Sequence, residues 1–178
     1  MWSSEVTNMI IAGIGETLYM TLVSTIAGYI IGLPMGIVLT VSDKDGIRPN
    51  SFIYKILDVI VNIVRSIPFI ILLVLLIPFT RFLVGKSYGS TATIVPLVVA
   101  AAPYIARMVE SSLKEVDAGV IEAARSMGAS DFDIVTKVLL VEARTSLLVG
   151  ATISLGTILG YSAMSGAVGG GGLGAIAI

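Results

Sequence analysis

Glu122-Ala123-Ala124-Arg125-Ser126-Met127-Gly128 is a short, polar, punctuated stretch set between long apolar runs. Val120, Ile121, Ala124 and Met127 fall at helical spacing across it. They predict a helix of about two turns with one apolar face, and a helix that short is marginal in water on its own. It therefore needs packing against its neighbours or against a partner protein. Three apolar runs precede it and one follows, so the stretch reads as a docking segment held at a membrane surface.

The composition supports a lipid solvent for most of the chain. Of 178 residues, 56% are hydrophobic and only 13% charged, with a mean hydropathy of +0.99; soluble domains are about 25% charged. A net charge of −1 argues against a nucleic-acid partner, which would require a basic excess. With neither Cys nor His, the soft metal ligands, thiol nucleophiles and imidazole bases are missing, and no metal site is expected. A phosphate loop of the G-x-x-x-x-G-K-[ST] type is also absent, so no enzyme activity is expected of this chain. The opening Met1-Trp2-Ser3-Ser4-Glu5 carries an acid and no base, the wrong charge for a cleaved leader. Trp2 is a candidate interfacial anchor.

Four spans are expected. Residues 17–42 contain no charge, and a helix of that length exceeds the roughly 30 Å of a bilayer core. Gly28, Gly32 and Gly36 recur at every fourth position there, leaving a bare helix face on which another backbone can pack closely. The charged loop around Asp43 to Ser51 leads to a second apolar run, 56–80, interrupted by Asp58, Asn62 and Arg65. Asp58 lies two turns before Arg65 and is its nearest partner in sequence. Residues 87–106 form a third uncharged run with Pro96 and Pro103, and 145–165 a fourth. Residues 107–144 carry five basic and seven acidic side chains and are expected to be the one sizeable water-facing segment. Within it, Ser130-Asp131-Phe132-Asp133 resembles a capping box and predicts a helix beginning near Asp131. Gly128 supplies a turn before it. The final stretch, 166–178, is so rich in glycine that a loop or gate-like connection is expected.

Lys and Arg orient these spans. The first and third connections together hold eight basic residues, whereas the second holds only Arg81 and Lys86. The positive-inside rule then puts the Glu122 segment in the cytoplasm, the N-terminus outside and the Gly-rich tail at the outer face.

Glu122-Ala123-Ala124, three further residues and Gly128, then Val138-Leu139-Leu140, resembles the EAA signature of permease subunits in bacterial ATP-driven (ABC) importers of the type I fold. Glu16-Thr17-Leu18-Tyr19-Met20-Thr21 with Gly28, Gly32, Pro34 and Gly36 is similar to the start of that domain. More narrowly, the stretches beginning at Arg65 (RSIPFIILL), Ala102 (APYIARMVE) and Gly160 (GYSAMSGAVG) resemble the permeases of methionine importers. The likeness extends from Glu16 to the end. Val141 stands where the family usually has proline, and the family's usual fifth span is absent from the sequence, which ends at Ile178.

The resemblance implies an all-α membrane protein of the type I importer permease fold with a cytoplasmic coupling helix. It implies a homodimer, two ATPase subunits that use ATP and Mg while this chain binds no cofactor, and an extracytoplasmic methionine-binding protein. On this reading Val120, Ile121, Glu122, Ala123, Ala124, Met127 and Gly128 dock on the ATPase, with Glu122 paired to a nearby base such as Arg125. An amino acid is a zwitterion and needs hydrogen-bond partners away from lipid; Tyr161, Ser162, Met164 and Ser165 are the candidates for its path. Two alternatives are a permease for another small nutrient and a membrane scaffold or channel that uses no ATPase.

Overall fold

The computed structural model describes residues 3–178; the proposed anchor Trp2 lies outside them. Its regular elements are helical throughout the described residues: α1 (Ser4–Ser42), α2 (Ser51–Ser66), α3 (Phe69–Leu75), α4 (Ile77–Val84), α5 (Ser90–Lys114), α6 (Ala118–Ser126), α7 (Asp131–Asp133), α8 (Leu140–Glu142), α9 (Arg144–Ser165) and α10 (Gly172–Ile176). A π-helical segment, Ile134–Leu139, joins α7 to α8, and a 3-10 turn, Gly166–Val168, follows α9. Ser4–Ser42, Ser90–Lys114 and Arg144–Ile176 are each long and apolar enough to cross a membrane; α2 and α3 together add a fourth crossing if they act as one broken span.

α1 and α5 form the centre. The stripe on α1 that faces α5 is small: a Cβ added to Gly28 would lie 2.9 Å from the Ala101 Cβ, one on Gly32 2.6 Å from the Ala102 carbonyl, and one on Gly36 2.6 Å from the Ala106 carbonyl. Backbone thus packs on backbone, as the four-residue glycine spacing predicts. Met20, Leu97, Ile105, Val109 and Leu113 continue the contact into a buried core that Ile158 of α9 and Ile134 and Leu139 of the π segment complete.

Three boundaries differ from those read in the sequence. The first helix starts at Ser4, capped by Ser3, and runs through Glu16 instead of beginning after it. Glu16 is tolerated because its carboxylate accepts a hydrogen bond from the Gly172 N–H at 2.6 Å. The run 56–80 is not one helix, since the chain bends by 102° between α2 and α3. Pro68 has no N–H, and the residue before it, Ile67, is pushed into extended backbone (φ −83°, ψ 123°), which ends α2. The segment 107–144 is not wholly water-facing either: Arg107 to Lys114 are the last turns of α5, where Val109, Glu110, Ser112 and Leu113 are buried.

The glycine-rich tail is a packed element. The Gly89 N–H donates to the Gly169 carbonyl (2.8 Å), the Thr93 hydroxyl to the Gly170 carbonyl (3.2 Å), and the Leu173 N–H to the Thr17 hydroxyl (2.9 Å). Added Cβ atoms on Gly166 and Gly174 would lie 2.2 Å from backbone atoms. The glycines therefore allow α10 to seat against α1 and the end of α9. A scale that scores only helix propensity reads the same residues as loop, because the compensating contacts come from distant parts of the chain.

Candidate functional site

α6 is built by two punctuation marks. Asp117 caps its start, accepting from the Gly119 N–H at 2.7 Å. Its end turns at Gly128, whose φ of +84° is the left-handed conformation that glycine adopts freely. The Ala129 N–H then returns to the Ala124 carbonyl at 3.1 Å. Ser130 opens the next helix, its hydroxyl accepting from the Asp133 N–H at 3.2 Å, and the Lys137 ammonium 2.5 Å from Asp133 holds that carboxyl below its ordinary range.

The apolar residues of α6 do not form one free face. Ala124 is buried and Ile121 is half-buried against the core that contains Ile134 and Leu139, so these two anchor the helix to its own chain. Val120 is 40% exposed and Met127 82% exposed. With exposed Ala123 between them, Val120, Ala123 and Met127 follow i, i+3, i+7 and make the outward stripe. Phe132, 75% exposed, stands just beyond the Gly128 turn and was missed in the sequence because it lies outside the signature. Glu122 is exposed and does not pair with Arg125. Arg125 instead donates to the Ile47 carbonyl and lies 4.0 Å from Asp131. Glu122 and Arg125 line a cavity of about 410 Å³ with Asp43, Asp45, Ile47 and Lys114.

The candidate path residues are not brought together in one pocket. Tyr161 is half-buried and stacks on Phe69, centroids 4.6 Å apart and planes 6° from parallel. Ser162 and Ser165 are buried, and their hydroxyls donate within α9 and its end to the Leu159 and Ser162 carbonyls at 2.7 and 2.6 Å. Their donor hydrogens are thus already used by the helix. Met164 is 52% exposed on another side. Arg65 and Asp58, neighbours in the sequence reading, are separate in space: Asp58 pairs with Arg107, and Arg65 is exposed with no ion pair among the described residues. α6 is thus a short helix between apolar spans, with an anchored side, an open side and a left-handed glycine after it.

The family model described as binding-protein-dependent transport system inner membrane component matches residues 28–178. The chain belongs to this family. It is a transport subunit of the inner membrane, with several membrane-crossing helices, and not an enzyme. It is 56% identical over 158 residues to the D-methionine transport system permease protein MetI of Salmonella typhimurium, spanning 89% of this chain and 73% of that protein. Against the probable D-methionine transport system permease protein MetI of Vibrio cholerae, identity is 44% over 99% of this chain and 79% of the relative. The fold superposes on an inward-facing conformation of the MetNI methionine ABC transporter with a TM-score of 0.96, at 55% identity, over 98% of this chain and 81% of that one. An amino acid ABC transporter at 24% identity shares the fold, with a TM-score of 0.78.

Proposed function

We propose that this chain is the membrane-spanning permease subunit of an ATP-driven importer that carries methionine inward, with α6 as the element that meets the ATPase. The observation that carries the coupling role is the outward stripe Val120, Ala123 and Met127 on a helix whose other side, Ile121 and Ala124, is fixed to the bundle. A partner that holds the stripe moves the bundle with it. Glu122, at the rim of the adjoining cavity, offers that partner a free carboxylate. The importer as a whole is a homodimer of this chain with two ATPase subunits that hold ATP and Mg, fed by an extracytoplasmic methionine-binding protein. The basic residues of the first and third connections support a cytoplasmic α6 and an N-terminus outside. Nucleotide drives transport only by binding two states of the complex unequally. Similarity to methionine permeases across most of the chain supports the substrate, in its D or L form.

Two measurements test this. In inside-out vesicles a cysteine at Met127 should react with a maleimide when the ATPase is absent and be protected when it is bound, while one at Ala124 stays unreactive throughout. Labelled methionine should accumulate in an ATP-dependent manner and be competed by unlabelled methionine. Preferential competition by another amino acid would assign a different nutrient, and ion conductance without ATP would favour a channel.

A further inference from the structure

α2 is the least embedded of the longer helices. Phe52, Ile53, Ile56, Val59, Ile60 and Ile63 are all exposed, and Val61 is its one buried residue. It rests on the bundle along a narrow face where Tyr54, Asp58 and Asn62, spaced at i, i+4, i+8, meet Arg107, Glu110 and Lys114 of α5. Arg107 donates to Glu110 Oε2 at 2.6 Å, to Asn62 Oδ1 at 3.0 Å, and to the Asp58 carboxylate. The Tyr54 hydroxyl donates to Glu110 Oε1 at 3.3 Å, and Lys114 to the same oxygen at 2.8 Å. Glu110 is buried, with a side chain only 5% exposed.

The network does not stop at α2 and α5. Lys114 also lies 2.6 Å from Asp43, at the end of α1, and its ammonium sits 5.6 Å from the centre of the Tyr54 ring. The loop that begins at Asp43 is tied on its other side to α6, because Arg125 donates to the Ile47 carbonyl. That loop then delivers Asn50, which caps α2 by accepting from the Phe52 and Ile53 N–H groups at 3.1 Å. Polar contacts thus run from Arg125 on α6 to the Ile47 carbonyl and, after the backbone of the 43–47 loop, from Asp43 through Lys114 to Glu110, Arg107 and Asp58.

Burying charges costs desolvation, and apolar side chains of similar size would hold two helices at least as firmly. What alternating charges add is register. α2 and α5 run antiparallel through these contacts, so sliding α2 by one turn would set the Asp58 carboxylate against Glu110. That shifted register is therefore penalised, and α2 is held to its present placement on α5.

We propose that Arg107 and Glu110 are positioning residues that make α2 follow α6: the relay Arg125, Ile47 carbonyl, Asp43, Lys114, Glu110, Arg107, Asp58 transmits displacement of the coupling helix to α2 and to the bend at Pro68. The far end of that bend is Phe69, stacked on Tyr161 of α9. This inference rests on the importer reading above, and it assigns the transmission to side chains in addition to the covalent connector between α5 and α6.

The test uses the full permease assembled with its ATPase in proteoliposomes, reading labelled methionine moved per ATP hydrolysed. Arg107→Asp and Asp58→Arg should each leave basal ATP hydrolysis in place and lower that ratio about tenfold, a common size for site-to-site coupling. Arg107→Lys, which keeps a cation between Asp58 and Glu110, should retain most of it. Unchanged ratios in the single variants, or a loss in Arg107→Lys as large as in Arg107→Asp, would overturn the relay. Where a charge variant fails to assemble, Tyr54→Phe and Asn62→Ala remove one hydrogen-bonding group each without adding charge; they should lower the ratio in the same direction, and an unaltered ratio counts against the relay. If the unsubstituted protein shows no ATP-driven uptake, the importer reading fails. The relay is then read by hydrogen exchange in the permease alone, where Arg125→Ala should raise exchange across residues 54–62, and exchange confined to α6 would refute it.

Discussion

Gly32→Ala adds one carbon where the structure has no room. Its Cβ would lie 2.6 Å from the Ala102 carbonyl oxygen and 2.9 Å from both the Cβ and Cγ2 of Ile105, against an ordinary contact of 3.4–4 Å. The obstacle is backbone, so relief requires α1 and α5 to separate by roughly the missing 0.8 Å, loosening the packing at Gly28 and Gly36 as well. Overpacking of this kind costs about 1–3 kcal/mol. Alanine recovers up to ~1 kcal/mol of helix propensity over glycine. The net expectation is a loss of about 1–2 kcal/mol, since the clash lies against a carbonyl and not a flexible side chain. Gly15→Ala is the control on the same helix: nothing lies within 4 Å of its added Cβ, so only the propensity gain remains. Unfolding of both variants in mixed micelles, titrated with a denaturing detergent, should show Gly32→Ala less stable than the parent and Gly15→Ala equal or more stable. Equal stability of the two variants would refute the claim that the glycine stripe exists for backbone contact.

Gly128→Val places a β-branched residue at φ +84° and costs about 1–2 kcal/mol locally; it should keep the protein in the membrane but abolish substrate-stimulated ATP hydrolysis in the assembled transporter, with Gly128→Asn milder, and unchanged stimulation would count against the coupling role. Glu16→Leu together with Thr17→Val removes both side-chain acceptors and leaves the Gly172 and Leu173 N–H groups unpaired, at about 1–3 kcal/mol for each unsatisfied group, so limited proteolysis within residues 169–176 should accelerate; an unchanged cleavage rate would show that the tail is held by packing alone. The Lys114 ammonium bonded to Asp43 holds that carboxyl below its usual 3.8. Because the folded value is the lower one, the stability it contributes is complete above the unfolded value and is lost only as pH falls through the depressed value. Hydrogen exchange in the 43–50 loop, corrected for its intrinsic pH dependence, should therefore show constant protection from pH 5 to 8 and loss only under stronger acid. Loss of protection already at pH 6 would be inconsistent with that ion pair.

What could be read in the sequence was local or periodic. The glycine repeat on α1, the left-handed Gly128 and the Ser130 cap each depend on residues within two turns, and each appears where its spacing predicts. The features that escaped depend on residues far apart in the chain. Glu16 reads as the charge just outside the first span until its partner, the Gly172 N–H, is known. Asp58 looks toward Arg65 along its own helix, yet the guanidinium it meets is on α5. The same limit applies to α6: periodicity groups Ile121, Ala124, Val120 and Met127 as apolar, but only the position of the Leu139 core decides which pair turns inward. A short helix at a membrane surface has two contact sides, one toward its own bundle and one toward whatever it docks to. Its function depends on the division between them, which is set by tertiary packing and not by the helix's own pattern. Since Ile121 and Ala124 are committed inward, motion imposed on Val120 and Met127 has to be passed to the core instead of being absorbed by rotation of the helix about its axis.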